Sequence, residues 1–289
     1  VLSLEQVRHL YGVKLAHGLP VQPRRASLRV TRRRRGAALA NGDFPSNPVR
    51  AHNFAAGALT DLNGGTAVTA SGTPATVAGP DGVKDSALSL SGSAFLQATD
   101  TGLPSGTSDR SYGLWFNSGA IANQNLMGWA NNGIRMYLNA TSGTISSDSG
   151  ADAIAGPMVS DGQWHHAVVT ETNSPVDGLK RRLYVDGKVV ATSTVLNAIT
   201  LVGANGLRIG ANAAGGSTLQ GSVSRAFVHA GVLTPEQVLA LYQKVGSAGA
   251  LQPSPKDAPD HIEGLWPNSL IFIGDDLDSS ALIDVEVSR

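Results

Sequence analysis

The sequence predicts an all-β protein: an antiparallel two-sheet sandwich with a short C-terminal helix and extended arms at both ends. Three observations carry that prediction. Between residues 54 and 231, short alternating runs of apolar and polar residues recur, separated by turn signals. Many of those signals are Asx-Gly pairs, at Asp81-Gly82, Asn132-Gly133, Asp161-Gly162, Asp177-Gly178, Asp186-Gly187 and Asn205-Gly206. Such pairs supply the positive φ angles that tight hairpins require. Finally, the 289 residues include 34 Gly but are only 15% charged and 5% aromatic, as expected of a turn-rich body with few bulky side chains. Strands at this spacing favour antiparallel pairing over βαβ units.

The elements follow in order. Residues 2–11 read as a helix, with Ser3 as N-cap and Leu4, Val7, Leu10 and Tyr11 on one face. Residues 26–31 alternate like an exposed strand and run into Arg32, Arg33, Arg34 and Arg35. Residues 37–53 are rich in Gly, Pro and Asn and read as a linker or irregular arm. Candidate strands then fall at 87–90, 95–98, 111–116, 125–129, 134–139, 165–172, 180–185, 188–193, 207–209 and 221–229. A helix follows at 233–242, with Thr234 as N-cap and Pro235 in the first helical position. It nearly repeats residues 2–11, so the chain reads as starting with the last helix of a preceding, similar domain. After residue 250, Pro253, Pro255 and Pro259 break the chain, and two further strand candidates, 269–273 and 281–287, flank an acidic turn. The expected divisions are 1–20 (that helix or an N-terminal arm), 21–53 (basic strand and linker), 54–250 (the sandwich) and 251–289 (an acidic arm).

Several motifs in this order carry a resemblance. They are Ser86-Ala87-Leu88-Ser89-Leu90-Ser91-Gly92, Tyr112-Gly113-Leu114-Trp115-Phe116, Asp161-Gly162-Gln163-Trp164-His165-His166-Ala167-Val168-Val169-Thr170 and Leu183-Tyr184-Val185-Asp186-Gly187-Lys188-Val189-Val190. Leu207-Arg208-Ile209-Gly210, Leu219-Gln220-Gly221-Ser222-Val223 and the helix from Leu233 complete the set. Over about residues 54–244 the chain resembles laminin-G-like, concanavalin A-like jelly rolls. The resemblance implies a jelly-roll topology, with Trp115 in the core and Trp164 plugging one end.

The chemistry is sparse. There is no Cys, which excludes disulfides, thiol nucleophiles and Cys-based metal sites. His165 and His166 are neighbours on a strand and point to opposite faces, so they do not chelate one ion. Related jelly-roll glycanases place paired carboxylates on one strand, but this chain has five Glu, namely Glu5, Glu171, Glu236, Glu263 and Glu286, and no such pair. No catalytic residue or cofactor is therefore expected. Calcium is the one ion the resemblance allows, with Asp148, Asp152, Asp161 and Asp177 as candidates that read better as solvated turn residues. Trp129, with Asn131 and Asn132, is the candidate glycan contact, through stacking of an exposed ring.

The net charge is zero, yet residues 1–36 sum to +8 and residues 253–289 to −6. Arg32, Arg33, Arg34 and Arg35, with Asp275, Asp276, Asp278 and Trp266, are the candidate protein-contact residues. Four Arg in a row without an aromatic platform argue against nucleic acid. No stretch approaches the roughly 18 apolar residues of a membrane span. The expected function is that of a non-catalytic structural or adhesive protein. The leading form is a virion component, such as a phage head decoration, fibre or tail protein, assembling as a homo-oligomer or larger array through its arms. The alternative is a carbohydrate-binding module of a bacterial surface or secreted protein, which places the chain in a virion or at a cell surface.

Overall fold

The computed structural model describes residues 43–250, apart from 92 and 151. In chain order the strands are β1 (Arg50–His52), β2 (Thr69–Ser71), β3 (Ala75–Val77), β4 (Ala87–Ser89), β5 (Phe95–Ala98), β6 (Arg110–Ser118), β7 (Gln124–Trp129), β8 (Ile134–Leu138), β9 (Thr144–Ser149), β10 (Asp152–Met158), β11 (Trp164–Glu171), β12 (Arg181–Val185), β13 (Lys188–Ser193), β14 (Leu207–Ile209) and β15 (Gly221–His229), followed by helix α1 (Pro235–Ala250). The first sheet runs β13-β12-β11-β6-β15-β4-β3, with β1 also paired to β15. The second runs β10-β9-β8-β7-β14-β5-β2. Every pairing is antiparallel. The chain passes from one sheet to the other after β1, β2, β4, β5, β6, β10, β13 and β14, which makes the protein a jelly-roll sandwich.

Alternation along the strands builds the core. Tyr112, Leu114 and Phe116 of β6 face the second sheet, as do Ala167 and Val169 of β11 and Leu183 and Val185 of β12. Ile134, Met136 and Leu138 of β8 and Leu207 and Ile209 of β14 meet them from the other side. One end of this interior is ionic rather than apolar. Glu171 pairs with Arg110, and its Oε1 lies 3.9 Å from Nη1 of Arg181, which also pairs with Asp152. Two cations and two carboxylates balance there, with both Arg and Glu171 fully buried.

The opposite residues of the first sheet make a second cluster. Val168, Tyr184 and Phe227 point outward and are covered by Phe44, Leu233, Val238 and Leu241. Gly113 leaves room for Phe227, since a Cβ there would stand 3.1 Å from its ring. Helix α1 is seated by a reciprocal capping box: Gln237 N donates to Thr234 Oγ1 at 3.3 Å, and Thr234 N to Gln237 Oε1 at 2.8 Å. The Asp186-Gly187 turn lies beneath it, with φ of 49° and 77°, and a Cβ on Gly187 would sit 2.8 Å from Leu239 Cδ1.

The structure corrects several expectations. Trp115 does not enter the inter-sheet core. Its strand parity turns it to the outer side, where it stacks on His166 at 5.1 Å and on Tyr242 at 5.6 Å. Trp164 is half-buried. The sandwich begins before residue 54, because β1 pairs with β15 and Asp43 is bonded to Arg225 at 3.1 Å. Strands β9 and β10 were not expected. β9 (Thr-Ile-Ser-Ser-Asp-Ser) is polar on both faces, and β10 contains Gly156 and Pro157, which an edge strand tolerates at a bulge. The expected elements at 2–11, 26–31, 269–273 and 281–287 lie outside the described residues.

Candidate functional site

The outer faces of the two sheets differ. The first is covered by α1 and residues 43–62. Among the described residues the second carries no such cover, and its register sets up one continuous outward row. Ala153, Asp148, Arg135, Gly128, Arg208, Gln97 and Thr69 stand side by side from β10 to β2. A neighbouring row contains Ser146, Tyr137 and Asn125, and Phe95 lies two residues from Gln97 on the same face.

Two arginine–aromatic units dominate this surface. Arg135 holds its guanidinium carbon 4.5 Å from the Tyr137 ring centroid and its Nε 2.7 Å from Asp148 Oδ2. Its side chain is 30% exposed and that of Asp148 is 9% exposed. Burial pushes the Asp148 carboxyl up, and the bond to Arg135 opposes that shift. Arg208 sits 5.1 Å above the Phe95 ring, donating from Nη1 to Gln97 Oε1 and from Nη2 to Ala213 O at 3.4 Å. Between the two arginines lies Gly128, where a Cβ would stand 2.9 Å from Arg135 Cβ, so the floor there is bare backbone. Asn125 is 1% exposed, and both of its amide atoms lack a hydrogen-bond partner. An unmet buried amide costs about 1–3 kcal/mol.

Loops fix the rim. Asp100 is fully buried and accepts from Ala130 N at 3.2 Å, Val202 N at 3.1 Å and Gly203 N at 2.7 Å, tying the β7–β8 turn to the loop before β14. Asn132 Oδ1 accepts from Ala213 N at 3.0 Å, and Ser217 O from Asn125 N at 2.8 Å. Residues 211–217 are thus laid over the second sheet beside Arg208 and Phe95.

The candidates named from sequence divide. Asn132 is at this rim as a loop tie, and Asn131 is exposed in the same turn. Trp129 is a correction. It is 1% exposed, T-shaped against Tyr112 at 4.9 Å and bonded to Pro104 O at 3.3 Å, because its β7 parity turns it inward. Its ring has no face for a sugar. Asp148 and Asp152 are strand residues held by arginines rather than turn residues. Asp161 bonds His165 at 3.1 Å, and Asp177 pairs with Arg182. Among the described residues no group of three or more His, Asp or Glu is placed to hold a metal ion. His165 and His166 do point apart. His165 is charged more readily than usual through its bond to Asp186, and burial lowers His166 to about 4. Arg32, Arg33, Arg34, Arg35, Trp266, Asp275, Asp276 and Asp278 lie outside the described residues. Sequence reasoning missed Arg135, Tyr137, Arg208, Phe95 and Asn125. The signal was present in Ile134-Arg135-Met136-Tyr137-Leu138, whose polar positions alternate with core ones.

Two packed antiparallel sheets with these crossings define a jelly-roll sandwich. The family model described as the concanavalin A-like lectin/glucanases superfamily, a laminin G group, matches residues 90–239, and the chain belongs to that family. A search of curated proteins gives no match. Among solved structures, the chain is similar to domain 4 of AbnA, a GH43 extracellular arabinanase from Geobacillus stearothermophilus, in complex with arabinotriose. The TM-score is 0.54 at 22% identity, over 68% of this chain and 98% of that one. It is also similar to a botulinum neurotoxin type C structure described as dependent on two ganglioside molecules for cell entry, with a TM-score of 0.54 at 12% identity over 72% of this chain and 53% of that one. The binding domain of botulinum neurotoxin DC in complex with SialylT gives 0.51 at 11% identity, over 69% and 52%. The match thus spans about half the length of the neurotoxin structures. At these identities the likeness establishes the fold alone.

Proposed function

We propose that the protein is a non-catalytic glycan-binding module of a secreted or surface-located protein, and that it binds through the outer face of its second sheet. The observation that carries this reading is that face itself, which no helix covers among the described residues and which is furnished with Tyr137, Phe95 and two arginines. Aromatic faces and planar polar groups are what sugar rings and hydroxyls require. Similar folds described with arabinotriose, SialylT and gangliosides support it. Among the described residues that register places on this face, Asp148 is the one carboxylate, and Arg135 occupies it. Glycoside hydrolysis uses two, so binding without cleavage is the better reading. A glycan array with the wild type, Tyr137→Ala and Phe95→Ala tests this. Saccharide hits that weaken about tenfold or more in both variants are expected. A blank array, or variants that bind like the wild type, overturns the reading.

A second reading, assembly into a virion or other array through charged ends, is carried by the +8 and −6 charges at the two ends of the chain. Nothing in the fold or its relatives adds to it. Salt titration of the oligomer, with Arg32, Arg33, Arg34 and Arg35 changed to Ser, tests it. Indifference to both salt and substitution sinks it.

A further inference from the structure

We infer that the open face selects saccharides bearing a carboxylate, and that Arg208 is the residue that reads the acid. This rests on the glycan-binding reading of that face. The two arginines of the outward row are not equivalent. Arg135 has its carboxylate in Asp148, 2.7 Å away. Among the described residues Arg208 has none. Its partners there are an amide oxygen of Gln97 and the Ala213 carbonyl, and its Nε is buried without a partner. Two arginines against one carboxylate give the described part of this face one positive charge in excess. Burial lowers the Arg208 pKa.

The geometry also suits a planar anion. The Arg208 guanidinium is held over Phe95 and braced by the 211–217 loop, so little freedom is lost when a ligand binds. Beside it, Gly128 adds no side chain between the two arginines. A neutral sugar uses the aromatic rings but leaves the Arg208 charge unanswered. A carboxylate-bearing sugar answers both.

Calorimetry with two acid–neutral pairs tests this: trigalacturonate against its methyl ester, and sialyllactose against lactose. For at least one pair the acidic member should bind about tenfold tighter, as one charge-assisted hydrogen bond predicts, and the preference should shrink at high salt. Arg208→Gln should collapse the acid-to-neutral ratio, and Arg208→Lys should keep part of it. Arg182→Gln, which removes a pairing with Asp177 on the first sheet, should leave the ratio intact. Thermal melting checks that each variant is folded. Equal affinity within both pairs, or a ratio unchanged in Arg208→Gln, overturns this inference and leaves the glycan site standing. No binding to any of the four probes, together with a blank array, overturns the site itself. Equally tight binding of hexaglutamate overturns the saccharide assignment in favour of an acidic peptide.

Discussion

The two sheets share one core and differ in their outer faces. On the first sheet the outward residues of four neighbouring strands include Trp115, His166, Val168, Tyr184 and Phe227, and α1 lies over them. On the second they are Arg135, Tyr137, Asp148, Arg208 and Gln97, with no helix above among the described residues. Both rows come from the same alternation of side chains. The difference is what occupies the second register: apolar and aromatic groups where a cover exists, charged and amphipathic groups where water or a ligand does. One face therefore serves stability and the other is free to serve recognition.

That contrast breaks most sharply with a matched pair of substitutions. Phe227→Ala should cost about 3–5 kcal/mol in urea denaturation, because its ring is sealed under Phe44 and Leu241. Phe95→Ala on the open face should cost about 1 kcal/mol, since only part of its area leaves water. Equal costs would mean that the second face is as tightly covered as the first.

Acid should act on the covered face next. His166 is buried against the stacked Trp115 and Tyr242 rings and is lowered to about 4 from 6.5. Its unfolded form takes up a proton first as pH falls. The stabilisation is therefore full above about pH 6.5 and lost by about pH 4, amounting to about 3 kcal/mol. His165, raised mainly by its bond to Asp186, has the opposite sign and stabilises more at low pH. Comparing the wild type with His166→Phe cancels that term. The difference in unfolding free energy between the two should itself change by about 3 kcal/mol across this window.

Smaller effects sharpen the seat of the cover. Gly187→Ala forces a side chain into φ of 77° and against Leu239, for about 1–2 kcal/mol in thermal denaturation. Thr234→Ala removes half of the capping box and should lower stability by about 1 kcal/mol in the same assay. Tyr137→Ala should fall within about 0.5 kcal/mol of the wild type in stability while losing glycan binding.

Much of the architecture was legible in the chain. The strands at Phe95–Ala98, Lys188–Ser193, Leu207–Ile209 and Gly221–His229 are found with the bounds that alternation and turns predict, and Thr234-Pro235 opens the helix as expected. The failures have causes. β9 hides because Ser146, Ser147, Asp148 and Ser149 are polar on both faces, one facing the ionic end of the core and one facing outward. β1 hides because three residues paired to β15 carry no pattern of their own. Trp129 and Trp115 were misplaced because period-2 alternation tells which residues share a face, not whether that face is the core, the underside of a helix or open water.

What the sequence determined by itself was local: turn positions, strand periodicity, the helix cap and a family likeness spread over several motifs. These follow from backbone preferences and side-chain parity, which act within a few residues. The tertiary structure decided which sheet is covered, and only then which residues are available for recognition. It aligned Asp148, Arg135, Gly128, Arg208 and Gln97, five residues from five strands spread over some hundred positions of chain, into one row through hydrogen-bond register. It also gave Arg135 a carboxylate and, among the described residues, gave Arg208 none. Such pairing depends on which strands become neighbours, and no local pattern encodes that.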